Sequence, residues 1–192
     1  MKKTTILIIV LAVIALWAIK AYNGMVAIQE QATNALANVQ SAYQRRADLI
    51  PNLVETVKGY ATHEEKTLTE VVEARSKVSQ ITIDPTNCTP EQLAEYQKAQ
   101  GELGQALGRL IAISESYPDL KANETFMDLQ KQLEGTENRI NEARNKFNSA
   151  VTEYNRQIRS FPNNLRAGIF GFQTMEKFAA DEGAQNAPKV QF

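Results

Sequence analysis

FMDLQKQLEGTENRINEARNKFNSAVTEY, residues 126–154, decides the fold class. Phe126, Leu129, Leu133, Thr136, Ile140, Ala143, Phe147, Ala150 and Tyr154 recur at steps of three and four, and Phe161 extends the series. A strand would repeat every two residues; this spacing is the 3.5-residue period of a helix that packs on other helices. Glu134, Glu137, Arg139, Glu142 and Arg144 crowd about three turns of the same segment. They predict either a solvated face with ion pairs worth a few tenths of a kcal/mol each, or charge reserved for another helix.

Upstream, Met25, Ile28, Ala32, Ala35, Val39, Ala42, Arg46, Leu49 and Leu53 form a second seam of the same period. Arg46 occupies a seam position, and a buried guanidinium needs a partner. Glu137 and Glu134 are the candidates, within a predicted interhelical polar network of Arg45, Arg46, Asp48, Glu134, Glu137, Arg139 and Arg144. RRADLIPNLVETVKGY, residues 45–60, places Pro51 inside this helix. Proline removes a backbone donor and crowds the carbonyl of Ala47, which predicts a kink. Beyond it the stripe continues through Val57, Tyr60, Leu68, Val71 and Val78, shifted by one position, so the helix is expected to run from about residue 22 to 80. That is roughly 88 Å at 1.5 Å per residue.

ITIDPTNCTPEQ, residues 81–92, is the clearest break. Asp84-Pro85 and Asn87 favour a turn, and Thr89-Pro90-Glu91-Gln92 combines a Thr N-cap, Pro at the first helical position and Gln three residues on. The helix that follows carries Leu93, Tyr96, Leu103, Leu107, Leu110 and Ile113 on one face, with Gly101, Gly104 and Gly108 predicting close approach of a neighbour or, alternatively, a flexible hinge. Tyr117-Pro118 ends it, and Asn123 is the expected cap of the next. After Phe161-Pro162, a fourth short helix is expected across 161–178. Its apolar load, notably Ile169, Phe170, Phe172 and Phe178, suits either packing on the bundle or contact with lipid or a second subunit. Residues 181–192 read as a flexible tail whose terminal Phe192 could be captured by a partner.

The chain opens MKKTTILIIVLAVIALWAIKAYNGM. No charge interrupts Thr4 to Ile19, about 24 Å of helix, and Ile6, Leu7, Ile8, Ile9, Val10, Leu11, Val13, Ile14, Leu16, Trp17 and Ile19 make a membrane anchor. Lys2, Lys3 and Lys20 can snorkel to lengthen it, and Trp17 and Tyr22 fall where an aromatic belt would lie. No Ala-x-Ala site and no following Cys mark it as a cleaved or lipidated signal. Two lysines before the span against Lys20 after it favour a body on the periplasmic side of a bacterial inner membrane. The organisation expected is an anchor at 1–22, a helical bundle at 23–180 and a tail at 181–192.

The totals narrow the function. Of 192 residues, 21 are Lys or Arg and 22 Asp or Glu, so the basic excess of a nucleic-acid binder is missing. One Cys (Cys88) and one His (His63) leave neither a disulfide nor a soft-metal site. No phosphate loop, nucleophile elbow or paired-His motif is present, so no catalytic residue, cofactor or metal is predicted.

RRADLIPNLVETVKGY, YPDLKANETF, LEGTENRINEAR, VTEYNRQIRSFPNN, IFGF and the closing APKVQF, in that order, resemble the LemA family across nearly the whole chain. The resemblance implies a bacterial membrane protein with one N-terminal span and an antiparallel helical bundle, and it implies no catalysis, cofactor or substrate. One relative is associated with magnetosome membranes, and others are encoded beside putative membrane proteins. Some descriptions of the family place the short N-terminus outside the cell, opposite to the lysine count. The expected function is therefore a non-enzymatic, membrane-anchored scaffold that forms a homo-oligomer, with an adaptor for a membrane or envelope protein as the alternative. The lipid bilayer is an expected partner; nucleic acid is not.

Overall fold

The structure, a computed structural model, describes residues 2–179, and all regular structure among them is helical. Helix α1 spans Lys2–Tyr60, α2 Glu65–Gln80, α3 Pro90–Ile113, α4 Pro118–Lys121, α5 Glu124–Arg159 and α6 Asn163–Phe170. The expected all-helical antiparallel bundle led by a long apolar helix is what is found.

The 59 residues of α1 measure about 88 Å, so the apolar start runs into the body with no loop between. The long helix ends earlier than its stripe suggested. It stops at Tyr60, and the chain turns over Ala61–Glu64 before α2 begins. Exposed His63 sits in that turn. Ala61 is fully buried at the corner, which closes the turn onto the core.

Cross-links fix the directions. Tyr60 accepts from Asn123, Arg46 pairs with Glu137, and Met25 clusters with Tyr154 and Ile158, so α5 runs antiparallel to α1. Lys77–Glu102 and Glu70–Arg109 bridge α2 to an antiparallel α3. Both pairs are exposed and worth at most about 1 kcal/mol each; they mark register more than they stabilise. Helices α1, α2, α3 and α5 thus form an up-down-up-down bundle with short connections. The anticipated Thr89 cap is present. Its hydroxyl accepts from the Gln92 N–H while the Gln92 side chain accepts from the Thr89 N–H, and Asn123 caps α5 through Phe126.

Two seams need correction. In α1 the seam positions Met25, Ala32, Val39, Arg46 and Leu53 are buried, joined by Leu36, Tyr43, Ala47, Ile50 and Val57, while Ala35, Ala42 and Leu49 lie on the flank. In α5, Phe147 is followed inward by Val151, Tyr154 and Ile158; Phe161 is 81% exposed. A straight helix drifts about 20° per heptad from a 3.5 repeat, so a strict seam leaves the core over so many turns. Tyr60 is likewise 43% exposed. The final helix is also shorter than expected. It ends at Phe170 on Gly171, whose φ of +77° is the left-handed conformation that a glycine C-cap supplies. Residues 172–179 then return along α5 as an extended strap.

Candidate functional site

Arg46 is the polar centre of the bundle. Its residue is 3% exposed, and its Nη1 donates to Glu137 Oε2 at 3.1 Å and to Oε1 at 3.3 Å. The Nη2 group donates to both the backbone and the side-chain oxygen of Gln100, at 3.0 and 2.6 Å. The guanidinium also lies 5.2 Å from the Tyr43 ring centroid. Of the two candidate glutamates Glu137 is the partner, and buried Gln100 is a second partner that the charge pattern did not reveal. Burial pushes the Tyr96 phenol up to about 12, against the lowering effects of its hydrogen bond to Gln100 and of Arg46. The guanidinium is buried, and its charge is held by α1, α3 and α5 together, with the Glu137 carboxylate reaching it from a half-exposed position.

Other members of the predicted network lie outside it. Arg45 and Arg139 are exposed, Asp48 accepts from Gln44 on its own helix, and Glu134 accepts from Gln130. Each serves a solvated face. Arg144 is half-buried and turns instead to the strap, donating to the Ala179 carbonyl at 2.9 Å and lying 5.4 Å from the Phe178 ring centroid.

Pro51 frees an acceptor that a neighbouring helix uses. Helix α1 continues through it, and the Ala47 carbonyl, left without the N–H of residue 51, accepts from Arg75 Nε of α2 at 3.0 Å. The missing helical bond becomes an interhelical one.

The strap is held by amide side chains. Asn155 both donates to the Met175 carbonyl and accepts from its N–H, at 2.8 and 3.0 Å. Asn148 pairs with Phe178 in the same two-way manner at 3.1 and 2.9 Å, and Gln97 of α3 with Ala179 at 3.0 and 3.2 Å. Seven helical residues rise about 10.5 Å, close to three extended residues at about 3.3 Å each. Hence Asn148 and Asn155 match Phe178 and Met175. That spacing of seven was readable in the sequence as a signal; Gln97, distant along the chain, was not. Phe178 is 4% exposed against Phe147, and Phe172 is half-buried, so neither is the lipid-facing residue anticipated.

Beside Ala179, an open groove of about 750 Å³ lies between α3 and α5, with Arg46 among its lining residues together with Gln97, Gly101, Gly104 and Glu137. The glycines do not admit a close helix. A Cβ at Gly101 or Gly108 would meet nothing within 4 Å, and one at Gly104 would meet only Arg46 Nη1 at 3.7 Å. Gly101 and Gly104 line this groove and put no side chain into it. The expected tail at 181–192, with Phe192, lies outside the described residues.

At the opposite pole the anchor side chains of Ile6 through Ile19 are exposed along the whole apolar window, a candidate membrane span by length and composition. Helix α6 lies beside its end: Arg166 stacks over Trp17 at 3.8 Å, and Tyr22 contacts Phe170 and Phe172 at 5.2 and 5.6 Å. Ile169 and Phe170 remain exposed.

Fold and site together define a class: a four-helix bundle carried on a candidate membrane span, with a buried arginine at its centre. The chain belongs to the LemA family, whose model matches residues 35–192. It is 30% identical over 188 residues to magnetosome protein MamQ 2 of Paramagnetospirillum magneticum, covering 88% of this chain and 69% of that one. Magnetosome protein MamQ of Magnetospirillum gryphiswaldense is 29% identical over 174 residues, 82% of this chain and 64% of the relative. Protein LemA of Metamycoplasma hominis is 28% identical over 118 residues, 62% of this chain. The chain spans half the length of that mycoplasma relative.

Proposed function

We propose that this protein is a non-enzymatic, membrane-anchored helical scaffold that self-associates through its bundle to organise or remodel the bacterial membrane. The observation that supports this most is the unbroken α1, in which one rod is both the exposed apolar span and the central helix of the body. Force or order imposed on the bodies reaches the bilayer without a flexible joint. The likeness to magnetosome proteins fits a role at a membrane. Reconstituting the full-length chain into vesicles and imaging them tests it: ordered clusters or deformed vesicles support the reading, and dispersed monomers on undeformed vesicles refute it.

The groove between α3 and α5 favours a second reading, an adaptor for a membrane or envelope protein. Loss of partner capture on deleting residues 183–192, or on replacing Gly101 with a bulky residue, would support the adaptor over the scaffold.

A further inference from the structure

Helix α6 carries an apolar stripe that the bundle does not use. Phe161, Leu165 and Ile169 recur every four residues and are 81%, 60% and 79% exposed, whereas Ala167 faces inward to Met25, Tyr154 and Ile158. Leu165 and Ile169, four residues apart, share one face of α6, and Phe161 lies in the turn that leads into it. Three large apolar side chains on an eight-residue helix and its lead-in are an unusual load to leave in water.

The height of this stripe is set by α1. Trp17 lies within the uncharged window, and Tyr22 one turn or so above it; α6 touches both, through Arg166 and Phe170. Counting along α1 at 1.5 Å per residue, α6 overlaps the last turns of the span, where aromatic side chains mark the membrane–water boundary. Arg166 Nε is buried with no hydrogen-bond partner among the described residues, its guanidinium stacked on the Trp17 ring. Stacking of this kind suits a cation at the edge of hydrocarbon.

We propose that α6 is a second membrane contact: an interfacial foot that buries Phe161, Leu165 and Ile169 in the bilayer and clasps the span through Arg166–Trp17 and Phe170–Tyr22. Its occupant is lipid, because the helix that carries the patch packs against the end of a span whose apolar side chains are already exposed for lipid. The consequence is mechanical. A single span can tilt and rotate, whereas a span with a foot holds the body at a fixed depth and azimuth, which any ordered assembly of such posts requires. The inference rests on the anchor of the proposed function and deepens it.

The test uses the full-length protein with Cys88 replaced by Ser, reconstituted into vesicles of phosphatidylethanolamine and phosphatidylglycerol. Nitroxide labels are placed singly at Leu165→Cys and Ile169→Cys, with Leu11→Cys in the span and Lys131→Cys on the exposed bundle as references. Collision rates with oxygen and with a water-soluble nickel complex give the environment. The expected result is a several-fold loss of nickel access at 165 and 169 relative to 131, with oxygen access approaching that at 11. Water-like values at 165 and 169 beside a lipid-like 11 overturn the foot and leave the anchor standing. Shielding from both reagents overturns it in favour of a contact with a second copy. A water-like value at 11 overturns foot and anchor alike.

Discussion

Arg75 donates its Nε hydrogen to the carbonyl oxygen of Ala47 at 3.0 Å, the oxygen that Pro51 leaves without its helical donor. Proline inside a helix costs about 3 kcal/mol or more, but here the freed acceptor is what α2 binds. A net hydrogen bond from a charged donor contributes about 1.5–3 kcal/mol. Arg75→Met should therefore lower the unfolding free energy by about 1–2 kcal/mol in the parent and by much less once Pro51→Ala restores the helical N–H. A double-mutant cycle by urea unfolding measures this. Equal costs of Arg75→Met in both backgrounds would show that the two residues are not coupled.

Arg46 and its partners should rank by burial. Arg46→Ala removes the donor to the buried Gln100 side-chain oxygen and opens a void, so a loss of about 3 kcal/mol or more is expected. Glu137 is half-exposed and water can replace part of its role, so Glu137→Gln should cost about 1 kcal/mol. Glu134→Gln, on a solvated face, should stay within about 0.5 kcal/mol. Chemical denaturation midpoints check the order, and a cost at Glu134 matching that at Glu137 contradicts the pairing.

The Tyr96 phenol, held up to about 12 by burial, makes an alkaline prediction. Its ordinary value is about 10, so the fold favours the neutral form. That stabilisation is complete below pH 10 and is lost as pH rises through the window from 10 to 12. At about 1.4 kcal/mol per unit the loss over this window reaches up to about 3 kcal/mol. Tyr154 is shifted in the same direction by burial and adds to the effect. Tyr96→Phe should flatten the fall in unfolding free energy between pH 9 and 11.5, values chosen to lie roughly either side of the unfolded phenol; an unchanged slope would remove Tyr96 from the account.

The strap should detach when its amide clips are cut. Asn148→Ala removes both bonds to Phe178, and Asn155→Ala both bonds to Met175. Each change should speed hydrogen exchange at the N–H it bonded by about tenfold or more, the factor that 1.4 kcal/mol represents. Global stability should fall by about 1–2 kcal/mol. Exchange at Phe178 that does not respond to Asn148→Ala would mean that apolar contact alone holds the strap.

Much of this protein was legible from local chemistry. The uncharged run before Lys20, the turn at Asp84-Pro85, the Thr89 capping box, the Asn123 cap and the need of Arg46 for a partner all depend on residues within a turn or two of one another. The period of the apolar positions then fixed the helical class. What the tertiary structure alone decided involves partners far apart in sequence. It chose Glu137 over Glu134 and added Gln100. It assigned Arg75 to the Ala47 oxygen, and it drew residues 172–179 out of helix into a strap. The physical reason is range. Helix formation and capping are settled by neighbours three or four residues away, whereas strap and arginine centre exist only because Gln97, Gln100, Asn148 and Asn155 present hydrogen-bonding groups that no local pattern places in space.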